Sequence, residues 1–177
     1  VTALDIAWSL AQTNRVSGRC IRPYSVAEHS LLVCEIVERE FGMNLHAQLL
    51  ALMHDAHEAY CGDINTPSKD QIGSGWRAWE SRWEHLVHSC FALLTANSVW
   101  HRDVKRADLI ALATEKRDLM PDSPRPWPVL AGVEPVGWIN LRSIERERMT
   151  WEDWRDRWLD RYHELDFARN ELKVPLA

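Results

Sequence analysis

The chain has 177 residues, 46% of them hydrophobic and 27% charged, with a net charge of −5. That length and apolar content suit one domain over residues 1–177 with a substantial hydrophobic core. A net negative chain without a basic stripe is a poor duplex nucleic-acid binder, no apolar run approaches a membrane span, and Val1-Thr2-Ala3-Leu4-Asp5-Ile6 lacks the basic-then-apolar order of a secretory signal, so a cytoplasmic protein without membrane or duplex partners is expected.

In chain order, apolar spacing predicts a first helix over about 3–13 and a second over 26–41. The second opens on Ser25-Val26-Ala27-Glu28, the Ser-x-x-Glu spacing of a capping box, and closes at Gly42. His29 therefore sits in its first turns. A third helix is predicted over 45–60, carrying His54-Asp55-Ala56-His57-Glu58. On a continuous helix Glu58 would neighbour both His54 and Asp55, and Gly62-Asp63-Ile64-Asn65-Thr66-Pro67 would then turn back a further carboxylate.

Helix arithmetic brings the first two histidines together. From His29 to the end of its helix is about 18 Å, and the return to His54 is about 14 Å, at 1.5 Å per residue. An antiparallel hairpin with axes about 8–10 Å apart lets both imidazoles reach one ion. Imidazole plus carboxylate suits a hydrolytic divalent metal, and a further carboxylate suits the activation of water.

Further helices are predicted over 76–98, 101–119 and 150–166, with no convincing strand. Asp108 lies in the apolar run Ala107 to Ala113, and a carboxylate there must be exposed, paired (Lys105, Arg106 and Arg117 are near in sequence) or metal-bound. Residues 121–140, with five prolines and two glycines, form a long irregular loop, read either as a flap over a pocket or as a surface connection anchored by Trp127 and Trp138. Trp76, Trp79 and Trp83, like Trp151, Trp154 and Trp158, make aromatic stripes of the kind found in cores or subunit interfaces. One of these helices is the expected route to a homo-oligomer, a dimer or higher. His85 and His88 read as surface or interface residues and His57 as a neighbour of the site. The four cysteines lack C-x-x-C spacing and read as reduced thiols.

His29, His54-Asp55 and Asp108 match the H…HD…D pattern of the HD-domain metal-dependent phosphohydrolases, and HDAHEAYCGDINTP resembles the YfbR-type 5'-deoxynucleotidases and their phage relatives. The resemblance covers about residues 6–120 and is specific around 25–67. It implies an all-α fold, a single HD-domain bundle of about six helices, and one divalent ion per chain (Co²⁺, Mn²⁺, Mg²⁺ or Fe²⁺) held by His29, His54, Asp55 and Asp108. By the same resemblance Glu58 would deprotonate or orient the attacking water and Asp63 would be the second acid/base group. Ile64, Asn65 and Thr66 would line the substrate pocket and Arg15 would hold phosphate, with Arg19 or Lys69 as helpers. Val16 stands where the family pattern has a Trp. The implied activity is removal of the 5'-phosphate from deoxynucleoside monophosphates. The alternatives are a triphosphohydrolase acting on a deoxynucleoside triphosphate such as dATP, and a catalytically silent nucleotide-binding regulator.

Overall fold

A computed structural model of the protein describes residues 1–122 and 126–172, with the side chain of Thr66 also outside the described part. The described residues are helical throughout, apart from turns and one isolated antiparallel bridge between Asn14 and Ser25. The first helix, α1 (Ala3–Gln12), is capped by the Thr2 hydroxyl and buries Ile6, Ala7, Leu10 and Ala11, a one-sided stripe at helical spacing. A short 3₁₀ turn, Arg15–Gly18, follows, with Val16, Ser17 and Gly18 all in the left-handed region (φ 53°, 53° and 71°). That conformation is uncommon for a β-branched residue. The turn is held by the Arg15 N–H, which donates to the Tyr24 carbonyl at 2.9 Å.

Helix α2 (Val26–Phe41) has the predicted bounds and ends on Gly42 at φ 58°, a position that suits glycine. Only half of the predicted capping box forms. The Ser25 hydroxyl accepts from the Glu28 N–H, but the Glu28 carboxylate turns away to two arginines, Arg22 and Arg146.

Helix α3 (Leu45–Met53) is buried from Ala47 to Met53, because it packs at once against α2 and the later helices Leu94–Leu119 and Trp151–Glu171. The predicted helix over 45–60 is therefore interrupted. Residues 54–57 pass through tight turns in which the Ala56 N–H donates to Met53 and the Glu58 N–H to Asp55, before α4 (Glu58–Cys61). Such i→i+3 bonds wind the chain more tightly than an α-helix and eclipse side chains three apart.

Two helices were not expected. One is α5 (Thr66–Ile72), capped by the Asn65 side chain with Pro67 in its first turn; the other is α8 (Ile144–Arg148). Helix α6 (Ser74–Cys90) ends earlier than predicted, and α7 (Leu94–Leu119) starts earlier. The break falls at 91–93, where Ala92 adopts φ 54°, rather than near 98–101. Helix α9 (Trp151–Glu171) starts on a complete capping box between Thr150 and Asp153 and runs beyond the predicted 166. It closes the bundle against α1, α2 and α3 and buries Trp154 and Trp158. Trp151 instead meets Trp8 edge-on at 5.1 Å. The described helices thus outnumber the six expected because α5 and α8 are additional and the predicted helix over 45–60 is cut into α3 and α4.

Candidate metal centre

The end of α3, the start of α2 and the middle of α7 meet at one point. The His29 Nε2 lies 3.3 Å from His54 Nε2, 3.6 Å from Asp55 Oδ2 and 3.3 Å from Asp108 Oδ1, and His54 Nε2 lies 3.1 Å from the same Asp55 oxygen. His29, His54 and Asp55 each offer a ligand atom within 4.8 Å of the others. Asp108 joins through one oxygen while its other accepts from the Lys105 ammonium at 2.7 Å.

Both imidazoles are oriented by their Nδ1 atoms. The His54 Nδ1–H donates to the Ala51 carbonyl at 2.7 Å, and the His29 Nδ1–H to Glu115 Oε1 at 2.5 Å. Each ring thereby turns Nε2 toward the meeting point, the arrangement in which an outer acceptor sets the tautomer of a metal-binding histidine. Two imidazole nitrogens and two carboxylates, half-buried or better, form a mixed donor set for a hydrolytic divalent ion. The residues fit such an ion.

Charge around this point is strongly coupled. Burial and Arg15 work against a proton on His29, but Glu115 and Asp108 outweigh them and raise its pKa to about 9. A metal ion must therefore displace a proton there. Burial alone would raise the carboxyl of Asp55. His54, His29 and Arg15 overcome it and hold the group well below the usual range. Asp108 is likewise depressed by His29 and His54 against the effect of burial.

Glu58 goes the other way: burial, then Asp55 and Asp63, push its carboxyl well up. It is 4% exposed and its Oε2 has no hydrogen-bond partner. Asp63, half-buried among these charges, is also raised, first by burial and then by Asp55.

Of the remaining residues predicted for the site, Arg15 is in place. Its Nη1 donates to Asp55 Oδ2 at 3.3 Å, and its Nε lies 3.6 Å from Glu115 Oε2. Lys69 lines the cleft beside His54, Asp55 and Glu58, a cavity of about 240 Å³. Ile64 is half-buried and does not line that cleft. Asn65 caps α5 and donates to the Ser17 hydroxyl at 3.0 Å, tying the Val16 turn to the loop that carries Asp63. The predicted Thr66 contact lies outside the described part.

Arg19 is not brought to the centre. It is exposed and, beyond the left-handed turn at 16–18, lines a separate cavity of about 880 Å³ with Lys116 and Trp127. The described residues of the loop over 121–140 border that second cavity through Pro121, Trp127 and Val133, and none of them lines the metal-binding cleft.

Three residues escaped the sequence reading. Glu115, 1% exposed, accepts from both His29 and the Tyr24 hydroxyl. It stands seven residues after Asp108, two turns along the same helical face, and that spacing was the available signal. Tyr24 immediately precedes the Ser25 cap. His88, expected on the surface, is 2% exposed and lines the cleft.

No family model matches the chain. It is 39% identical over 137 residues to the uncharacterised protein YfdR of Escherichia coli K12, covering 77% of this chain and 71% of YfdR. It is 38% identical over 119 residues to the uncharacterised protein RCAP_rcc00048 of Rhodobacter capsulatus, covering 65% of this chain and 61% of that one. It is 34% identical over 117 residues to the 5'-deoxynucleotidase YfbR of Salmonella typhi, covering 52% of this chain and 59% of that protein. The chain thus spans about three fifths of the length of the last two.

Proposed function

This chain belongs to the family of the Escherichia coli protein YfdR, and on that footing we propose that it is a divalent-metal-dependent hydrolase of nucleotide phosphate of the HD-domain type, removing the 5'-phosphate from deoxynucleoside monophosphates. The observation that carries the reading is the convergence of His29, His54, Asp55 and Asp108 on one point, with the unpartnered Oε2 of Glu58 in the same cleft. Partial similarity to 5'-deoxynucleotidases supports the substrate class.

A divalent ion held by those four residues would polarise a phosphate oxygen and acidify water. The chain's own groups supply the rest. Glu58, whose carboxyl binds protons readily because it is buried beside Asp55 and Asp63, takes the proton of the attacking water. Asp63 returns a proton to the leaving oxygen of the sugar, a role that suits a carboxyl raised by burial. The Arg15 guanidinium, kept charged by Glu115 and Asp55 against the effect of burial, offers charge-assisted hydrogen bonds to phosphate. Asn65, which caps α5 and donates to Ser17, holds the loop that carries Asp63. Both extra carboxylates have chemical work in this scheme, which weighs against a silent regulator.

A triphosphate reading has one specific support. The cleft that holds the metal-binding residues is also lined by the cations Lys69, Arg77 and Lys105, the charge that outer phosphates would need. Product identification separates the two. Each dNMP and dNTP is incubated with protein and Mn²⁺ or Co²⁺, with EDTA and Asp55→Ala controls. Nucleoside plus orthophosphate from monophosphates is the expected result. Nucleoside plus inorganic triphosphate from one dNTP would replace the first reading with the second. No turnover of any nucleotide would sink both.

A further inference from the structure

We propose a second divalent-cation site, distinct from the His29–His54–Asp55–Asp108 centre, built from His57, Glu80 and one carboxylate oxygen of Glu58, whose other oxygen is left for the proton transfer proposed above. Each of the three offers a ligand atom within 4.8 Å of the others, and His57 Nε2 lies 3.8 Å from Glu80 Oε1. Three donors around one divalent ion stand about 3–4 Å apart at metal–ligand distances of 2.0–2.2 Å, so the His57–Glu80 pair is already at a fitting separation and the three need only draw together to seat an ion. His57 and Glu58 come from the tight turn and α4, and Glu80 from the facing side of α6. An ion here would bridge two elements that otherwise touch lightly.

Two further observations point to a ligand at this place. First, two of the three ligand residues and a neighbour in the cleft carry unpartnered atoms: Glu58 Oε2, His57 Nδ1 and His88 Nε2 are buried without any hydrogen-bond partner. Orphaned buried polar atoms are rare and costly. His88 lines the same cleft and is 2% exposed. Second, the cleft carries five carboxylates against the cations Lys69, Arg77 and Lys105. The Lys69 ammonium bonds Glu80 Oε1 at 2.6 Å, a positive charge already sitting on the proposed ligand. A nitrogen–oxygen set of this kind takes borderline ions such as Mn²⁺, Co²⁺ or Zn²⁺.

Lys69 and the ion thus compete for Glu80, and the two residues must respond in opposite directions. The test is Mn²⁺ binding to the full chain, counted by equilibrium dialysis with electron paramagnetic resonance of free Mn²⁺. The wild type is expected to bind two ions per chain with separable affinities. Glu80→Gln, and independently His57→Asn, should bind one, with circular dichroism showing an intact helical fold. Lys69→Met should retain two and tighten the weaker by about tenfold, since it removes the competing charge. A stoichiometry of one in the wild type, or of two in Glu80→Gln, overturns the site, as does a Lys69→Met that weakens or leaves unchanged the second ion. Because ions are counted and not turnover, the result stands whether or not the chain hydrolyses nucleotides. Asp55→Ala, which removes a ligand of the first centre only, should keep the weaker ion.

Discussion

The side chain that decides how well this centre holds a metal is Glu115, two turns beyond Asp108. Its carboxylate fixes His29 through Nδ1 and accepts from Tyr24, while Arg15 compensates its charge. A ligating histidine loses basicity and orientation without such a partner. Glu115→Gln keeps the shape and removes the charge, so Mn²⁺ affinity should fall by about 10–100-fold with the helical content unchanged. Equal affinity in titration calorimetry would show that the Ala51-type backbone restraint on His54 suffices for both rings. Glu58→Gln should behave in the opposite way. It leaves the ion at the first centre in place and lowers kcat by about 10²–10⁴-fold, the ordinary worth of a positioned base. A variant that kept its turnover would remove Glu58 from the proton transfer. His54→Ala should abolish binding at the first centre and turnover together.

At the scale of elements, much of the site was legible because the chemistry restricts residue types. Few groups besides His, Asp and Glu serve a hydrolytic metal, and Ser25 with Gly42 bracketed the helix that presents His29. The break after Met53 was not legible: residues 54–60 continue the helical pattern, and only packing of α3 on three sides turns the chain there. The break at 91–93 has the same character, since Phe91, Ala92 and Leu93 carry no turn chemistry and Ala92 takes a positive φ that its residue type does not call for. By contrast, Asn65-Thr66-Pro67-Ser68 was a readable helix start, a capping Asn ahead of an early Pro, masked by reading the stretch as pocket lining. Arg19 misled through proximity in sequence to Arg15, which a left-handed turn undoes. The end of α7 offers a test at this scale. Asp118 Oδ2 accepts the Leu141 N–H at 2.9 Å, while Arg117 reaches the Val136 and Ile139 carbonyls, so the last turn of α7 ties down the loop after it. Burial would raise the carboxyl of Asp118, yet Arg117 and the Leu141 N–H hold it below its usual range. A depressed carboxyl stabilises the fold above its unfolded pKa of about 4 and ceases to as pH falls through the folded value. Asp118→Asn should therefore lower Tm by about 2–6 °C at pH 7, from about 1–2 kcal/mol of hydrogen bonding. The gap to the wild type should narrow below pH 4 in a melting series; a gap constant with pH would mean that the charge contributes nothing.

Across the whole molecule, no two adjacent elements contain the centre. Arg15, His29, the His54–Asp55 pair and the Asp108–Glu115 face come from stretches spread over a hundred residues, so ligand spacing is set by how the bundle closes. One buried knot bears on this directly. Glu28, next to His29 and without exposed surface, is gripped by Arg22 through two bonds of 2.8 and 2.7 Å and by Arg146 of α8 at 2.8 Å, while Arg22 also donates to the Leu141 carbonyl. The chain just before α2 and the chain around α8 are thereby fastened to the turn that presents His29. Arg22→Ala leaves a buried carboxylate with one partner and should cost about 3 kcal/mol or more. Arg146→Ala keeps the bidentate pair and should cost about 1–2 kcal/mol, near the value of a single charged hydrogen bond. Metal separates stability from positioning, because an ion that binds only the folded state raises stability by an amount fixed by its concentration relative to Kd. The stabilisation gained on adding Mn²⁺ should match the wild type in Arg146→Ala and be smaller in Arg22→Ala, where the first turn of α2 has lost its anchor. Equal gains in all three proteins would confine the knot to holding the fold, with His29 positioned by Glu115 alone.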